Sequence, residues 1–229
     1  MPGLTSLVVS ILPYAIGAAV GPTIFATLLA TVIPTRNPRL SAAAYLLGSI
    51  IMFLILVFFG LYIGTALSVS ILDPINIGGM LEIFLGSILI ILSLRYLFIS
   101  EQYKNEGILG FINALREDNN LSFILKFFYL GFIAIFASFI PAILILGAGV
   151  IIGLSNPGSA YTAISIIELA LIGLLAVEVP FILFIISPRL AGSVLSPFSN
   201  WLARYGEYFV AIIYFLLGLV FLIRGAYAF

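Results

Sequence analysis

A chain of 229 residues that is 63% hydrophobic and only 8% charged, with a mean hydropathy of +1.31, is no ordinary soluble domain, in which about a quarter of residues carry charge. Its 9 basic and 9 acidic residues cancel, so nothing draws it to nucleic acid. Cys and His are both absent, which removes a disulfide framework, a thiol redox centre and the usual zinc or haem ligands, and no cofactor is implied.

The first apolar run, 4–34, has no Lys or Arg before it. It lacks the positive start of a cleavable signal peptide and is expected to stay in place as a membrane segment. Further runs follow at 42–68, 77–98, 123–154, 162–187 and 208–227. Each approaches or exceeds the ~20 residues that cross ~30 Å of hydrocarbon. Between them lie Pro34 and Pro38, Asp73-Pro74, the polar stretch Ser100–Asn120, Asn156-Pro157-Gly158 and a connector from Pro188 to Tyr205. Backbone amides cannot stay unpaired in lipid, and runs this long without period-2 alternation are helices. The reading is an all-α integral membrane protein of six transmembrane helices.

Loop charge gives an orientation. Arg36, Arg39, Arg95, Lys104, Arg116, Lys126, Arg189 and Arg204 fall on one side and Arg224 alone on the other. Cytoplasmic loops are the basic ones, so both termini are expected outside the cytoplasm of a plasma-membrane protein.

A repeat is also visible. Pro22 precedes Asn37-Pro38 by the same interval that separates Pro141 from Asn156-Pro157, and the whole pattern recurs at an offset of 119. Both lead runs are too long for a straight crossing. At 1.5 Å per residue each would reach about 46 Å, so a break or kink is expected at Pro22 and at Pro141. Three helices separate the copies, an odd number, which makes the halves inverted. The expected organisation is a three-helix repeat over 1–99, a cytoplasmic linker over 100–120, and a second three-helix repeat over 121–229. The linker alternates charges with Ile108, Leu109, Phe111, Ile112 and Leu115, as an amphipathic surface helix would. Inverted halves with interrupted helices point to a transporter's midplane site.

Ionisable groups at membrane depth are costly and are functional candidates. Glu82 and Glu168 fall at similar depth near the outer ends of the third and fifth helices. Glu178 falls roughly 15 Å deeper, two residues before Pro180. Burial disfavours a charged carboxyl, which suits any of the three to a proton relay. The plainer alternative is that Glu82 and Glu168 reach the outer interface and Glu178 bonds a neighbouring helix. Thr23, Thr27 and Thr31 share one face beyond Gly21 and Pro22, either lining a polar path or bonding carbonyls of their own helix. Gly17/Gly21, Gly60/Gly64 and Gly149/Gly153 are small-xxx-small pairs suited to close packing within the monomer. Trp201, Arg204, Tyr205 and Tyr208 give the connector an interfacial composition.

Leu12-Pro13, Gly17-Ala18-Ala19 and Gly21-Pro22 resemble the opening of the GAP/Sap family (glycopeptidolipid- and sulfolipid-addressing proteins). Gly48, Pro180, the connector Leu195–Arg204 around Trp201, and the pairs Leu217-Gly218 and Arg224-Gly225 extend the resemblance over nearly the whole chain. Gly21 stands where that family usually has Ser. The resemblance implies the lysine-exporter superfamily, which also holds the thiol transporters of cytochrome c biogenesis. Those need a cysteine beside each helix-breaking proline. Here Thr23 and Ile140-Pro141-Ala142 occupy the places, and without a thiol there is no disulfide exchange.

The chain has no nucleotide-binding loop, no Ser/His pair and no carboxylate cluster for catalysis. The reading is a translocator or export component, not an enzyme, for a lipid-like or small amphipathic molecule, coupled to a proton or served by a partner export protein. That substrate class comes from the resemblance alone. The alternatives are a non-transporting scaffold for another export complex and a lysine-exporter-type exporter of a small solute or cation.

Overall fold

The computed structural model describes residues 4–32, 35, 37–69, 74–98 and 123–229. The linker over 100–120 lies outside these, as do Pro34, Arg36 and Asp73. All regular structure among the described residues is helical: α1 (Leu4–Ala19), α2 (Pro22–Val32), α3 (Pro38–Ser68), α4 (Pro74–Phe98), α5 (Phe123–Ala137), α6 (Phe139–Ser155), α7 (Ser159–Gly173), α8 (Leu175–Ile186) and α9 (Pro188–Ala226).

Three stretches are long and apolar enough to cross a membrane alone: α3, α4 and Arg204–Ala226 of α9. The other helices form consecutive bent pairs. α1 and α2 meet at 47°, α5 and α6 at 79°, and α7 and α8 at 69°. Counting each pair as one span gives up to six. Side chains such as Phe58, Phe59, Phe84, Ile91, Phe136 and Ile182 stand more than half exposed or close to it on the outer faces. Apolar exposure on that scale is tolerated in lipid and not in water. The chain is a multi-pass membrane protein.

Each break has a local cause. Pro22 opens α2; it has no N–H to return to Ala18, and its ring disfavours helical backbone at Gly21. Pro141 likewise strips Ala137 of its donor, and the chain turns one residue later, at Ser138 (φ −82, ψ 80). Ser138 still donates its N–H to Ala134 (3.1 Å) and accepts from Ala142 (3.0 Å), so the turn costs few backbone bonds. The third break, at Leu174, does not fall on a proline: Pro180 lies six residues further on, inside α8. It follows Gly173, whose bare Cα faces Ala15, Ala18 and Phe53. Glycine is the weakest helix former after proline, and its small size lets α1 come close at this point.

The run from Pro188 to Tyr205, read as a connector, is the first part of α9. Ser187 caps it by accepting from the Leu190 N–H (3.4 Å), and Pro188 supplies a favourable first residue. Its aromatic residues form a chain: Phe198 stacks on Trp201 (5.8 Å), Trp201 meets Tyr205 (6.3 Å) and Phe209 (5.6 Å), and Arg204 lies over Tyr205 (5.4 Å).

Two seams hold the bundle. Along α3, Gly48 meets the Phe128 carbonyl and Gly131 meets the Tyr45 carbonyl in return. Gly60 with Leu146, Gly149 with Val57, Gly64 with Val150 and Gly153 with Leu61 repeat the arrangement against α6. The second seam joins α4 to α9. Gly79 faces Gly225, Gly86 faces Gly218, and Ser93 donates to the Ala211 carbonyl (2.7 Å), giving small residues every seventh position on both helices. Lipid supplies no hydrophobic drive between helices, so the association depends on this backbone proximity.

Candidate functional site

The α4–α9 seam brings two charges together inside the bundle. Glu82, on the buried face of α4, receives Arg224 of α9 at 2.7 Å between Oε1 and Nη2. The Glu82 side chain is 7% exposed and that of Arg224 29%, so the pair is sunk on the carboxylate side and opens outward on the guanidinium side. Arg224 also donates through Nη1 to the Ser10 carbonyl of α1 (3.0 Å), so one side chain ties three helices. It lies in the last turn of α9, where a cation complements the helix dipole.

Tyr14 completes the cluster. Its ring packs on Phe221, one turn before Arg224 (centroids 4.6 Å apart), and its edge fits over the bare Cα of Gly147 on α6. The hydroxyl is fully buried beside Glu82 and Arg224, close enough to feel both charges and to serve the Glu82 carboxylate as a donor. Breaking one partner out of a buried ion pair is strongly unfavourable.

A second locus lies at the proline breaks. Gly17 rests on Leu144 and Tyr14 on Gly147, an antiparallel register that brings the end of α1 level with the first turn of α6. The two breaks therefore lie side by side. Gly21 and Pro141 are buried there, and Thr23 is half-buried; the side chain of Pro22 lies outside the described residues. Tyr214 of α9 donates its hydroxyl to the Val20 carbonyl (3.1 Å), and Tyr45 of α3 donates to the Ile24 carbonyl (3.1 Å). Both supply donors where α1 gives way to α2. The Ser138 hydroxyl, in the α5–α6 break, is buried and unpartnered, as is that of Ser165 on α7.

The remaining candidates stand apart. Thr27 and Thr31 are buried, and their hydroxyls bond the carbonyls of Thr23 and Thr27 (2.7 Å each), so both are spent on their own helix. Glu178 is half-buried in the first turn of α8 and Glu168 half-buried on α7. No ion pair joins either among the described residues. Nor do any three of Asp, Glu, His and Cys come together there to hold a metal.

Reading the chain alone missed the partnership of Glu82, along with Tyr14 and Ser138. The signal for the first was present. Gly79 and Gly86 on one helix, and Gly218 and Gly225 on another, share a spacing of seven. That spacing pairs the helices and leaves Glu82 and Arg224 near the same end.

The family described as Sap, sulfolipid-1-addressing protein, matches the chain over residues 11–227. No curated protein and no solved structure matches it.

Proposed function

The chain belongs to the Sap, sulfolipid-1-addressing protein, family, and from that membership we propose that it moves a lipid-like, amphipathic molecule through or out of the plasma membrane. The observation that carries the reading is the juxtaposition of two broken spans, α1–α2 and α5–α6, at one level of the bundle. A break in lipid leaves backbone groups that need polar partners. Membrane proteins tolerate it where protein or a ligand path supplies them.

The finer architecture belongs to the same proposal: six spans, in two inverted halves related by the offset of 119. Helix neighbours support it. α3 runs along α5 and α6 as α7 runs along α1, while α4 pairs with α9, its counterpart in the other half. The exception is that α3 is continuous whereas its counterpart, α7–α8, is bent. The eight-to-one division of basic residues supports an orientation with both termini outside the cytoplasm. Glu178, near the third break, is the residue assigned to proton coupling.

Purified protein in vesicles carrying a fluorescent short-chain lipid tests this, with the probe's movement between leaflets followed by quenching from outside. Wild type moves the probe faster than protein-free vesicles do. Glu178→Gln slows it while eluting as wild type from gel filtration. A wild-type rate equal to that of empty vesicles overturns transport and favours a scaffold for another export complex.

A further inference from the structure

We propose that Arg224 is an anchoring site for an oxyanion, which takes the place of Glu82 on the guanidinium. The proposal rests on the transport reading only for the ligand's amphipathic character.

Geometry comes first. Arg224 uses Nη2 toward Glu82 and one Nη1 hydrogen toward Ser10; its Nε–H has no partner among the described residues. A guanidinium presents a planar fork of donors matched to the two oxygens of a carboxylate, phosphate or sulfate. Here that fork is part-filled, and the side chain stays 29% exposed. Position comes second. Arg224 lies two residues before the end of α9, at one end of the bundle. By the distribution of basic residues it is also the single Lys or Arg of that side. An anionic headgroup at this level has one cation to meet.

The third element is the fate of Glu82. A carboxylate left behind in the bundle would be strongly unfavourable. The groups facing it are Arg224 from α9 and Tyr14 from α1; α6, also packed on α4, has no titratable side chain. The Tyr14 hydroxyl, buried beside Glu82, is a donor that stays with that carboxylate. When an incoming oxyanion takes the guanidinium, Glu82 keeps the Tyr14 hydroxyl as its donor.

The test is equilibrium binding of spin-labelled phosphatidylglycerol to the full chain in phosphatidylcholine vesicles, with inorganic sulfate as a soluble competitor. Glu82→Gln removes the internal competitor, so phosphatidylglycerol should bind several-fold more tightly than to wild type. Arg224→Lys keeps the charge but loses the fork, and its affinity should lie below wild type. The double variant Glu82→Gln/Arg224→Gln leaves no unpaired charge to unfold the bundle, and its selectivity for phosphatidylglycerol should vanish. Competition by sulfate identifies the oxyanion alone as sufficient; failure of sulfate to compete identifies a lipid headgroup. Equal phosphatidylglycerol binding by wild type, Glu82→Gln and the double variant overturns the site. That result leaves the transport reading intact, because probe movement is measured separately.

Discussion

Alanine in place of Gly48 should loosen the protein far more than its single methyl suggests. A Cβ there collides with the Phe128 carbonyl oxygen, and the Phe128 carbonyl carbon and Phe132 nitrogen both lie at 2.9 Å. All three are backbone atoms of α5, so no rotamer change relieves the contact. Ordinary contact needs about 3.5 Å, so α3 and α5 must part by something on the order of 1 Å, forfeiting a quarter to a half of the dispersion energy along the seam. Overpacking of this kind costs roughly 1–3 kcal/mol, set against a gain of up to about 1 kcal/mol from replacing glycine within a helix. The net expectation is a loss of about 1 kcal/mol, reaching about 2 kcal/mol where the overpacking is at its worst. Gly192 provides the control. It lies inside α9 with nothing within 4 Å of a built Cβ, so the same substitution there should keep only the helix gain. The assay is survival of the monodisperse gel-filtration peak in detergent after heating. Gly48→Ala should lose its peak several degrees below wild type and Gly192→Ala at or above it. If Gly48→Ala matches wild type, or the two variants fall together, the backbone seam is not what holds α3 to α5.

Tyr214→Phe should cost about 1–3 kcal/mol in the same assay, because it leaves the Val20 carbonyl without its donor, whereas Tyr62→Phe, at a side chain 70% exposed, should be neutral. Glu82→Gln and Arg224→Gln should each destabilise by about 3–5 kcal/mol, and the double variant by much less than their sum; additive losses would mean the two side chains do not interact. Thr27→Val with Thr31→Val should leave probe movement in vesicles unchanged, since both hydroxyls bond their own helix; a slowed probe would restore the polar path.

Much of the architecture is legible in the chain because lipid imposes few options. Long apolar runs must be helices, and Pro22 and Pro141 announce two breaks through chemistry that needs no tertiary context. The third break is hidden because its proline lies six residues away, and its position depends on how closely α1 approaches Gly173. The span of α9 was underestimated for a related reason. Charged and aromatic residues from Arg189 to Tyr208 end the apolar run without ending the helix, so hydropathy alone stops where composition changes. At the site, single residues were visible and their relations were not. Glu82 stood out as an acid in a membrane helix, but its partner lies 142 positions away (224 − 82) and becomes adjacent only through the glycine seam. Tyr14, one tyrosine among 11, carries no local mark of being buried beside the ion pair.

The seam also ties the charge pair to the proline break. Along α9, Ala211, Gly218 and Gly225 face α4. Between them, at a three- or four-residue step, Tyr214 reaches the Val20 carbonyl in the break after α1, and Phe221 packs on Tyr14 of α1. This is the alternation of a heptad: one set of positions fixes α9 to α4, the other reads α1 at its break and beside its buried hydroxyl. Arg224 follows one turn after Phe221 and bonds both neighbours. A slide or rotation of α9 that releases Glu82 therefore moves Tyr214 from the carbonyl it serves and Phe221 from the ring it supports. Packed helices with small-residue contacts shift as units and do not deform continuously. An oxyanion arriving at Arg224 would thus act on the α1–α2 break without touching it, through a helix already in contact with both.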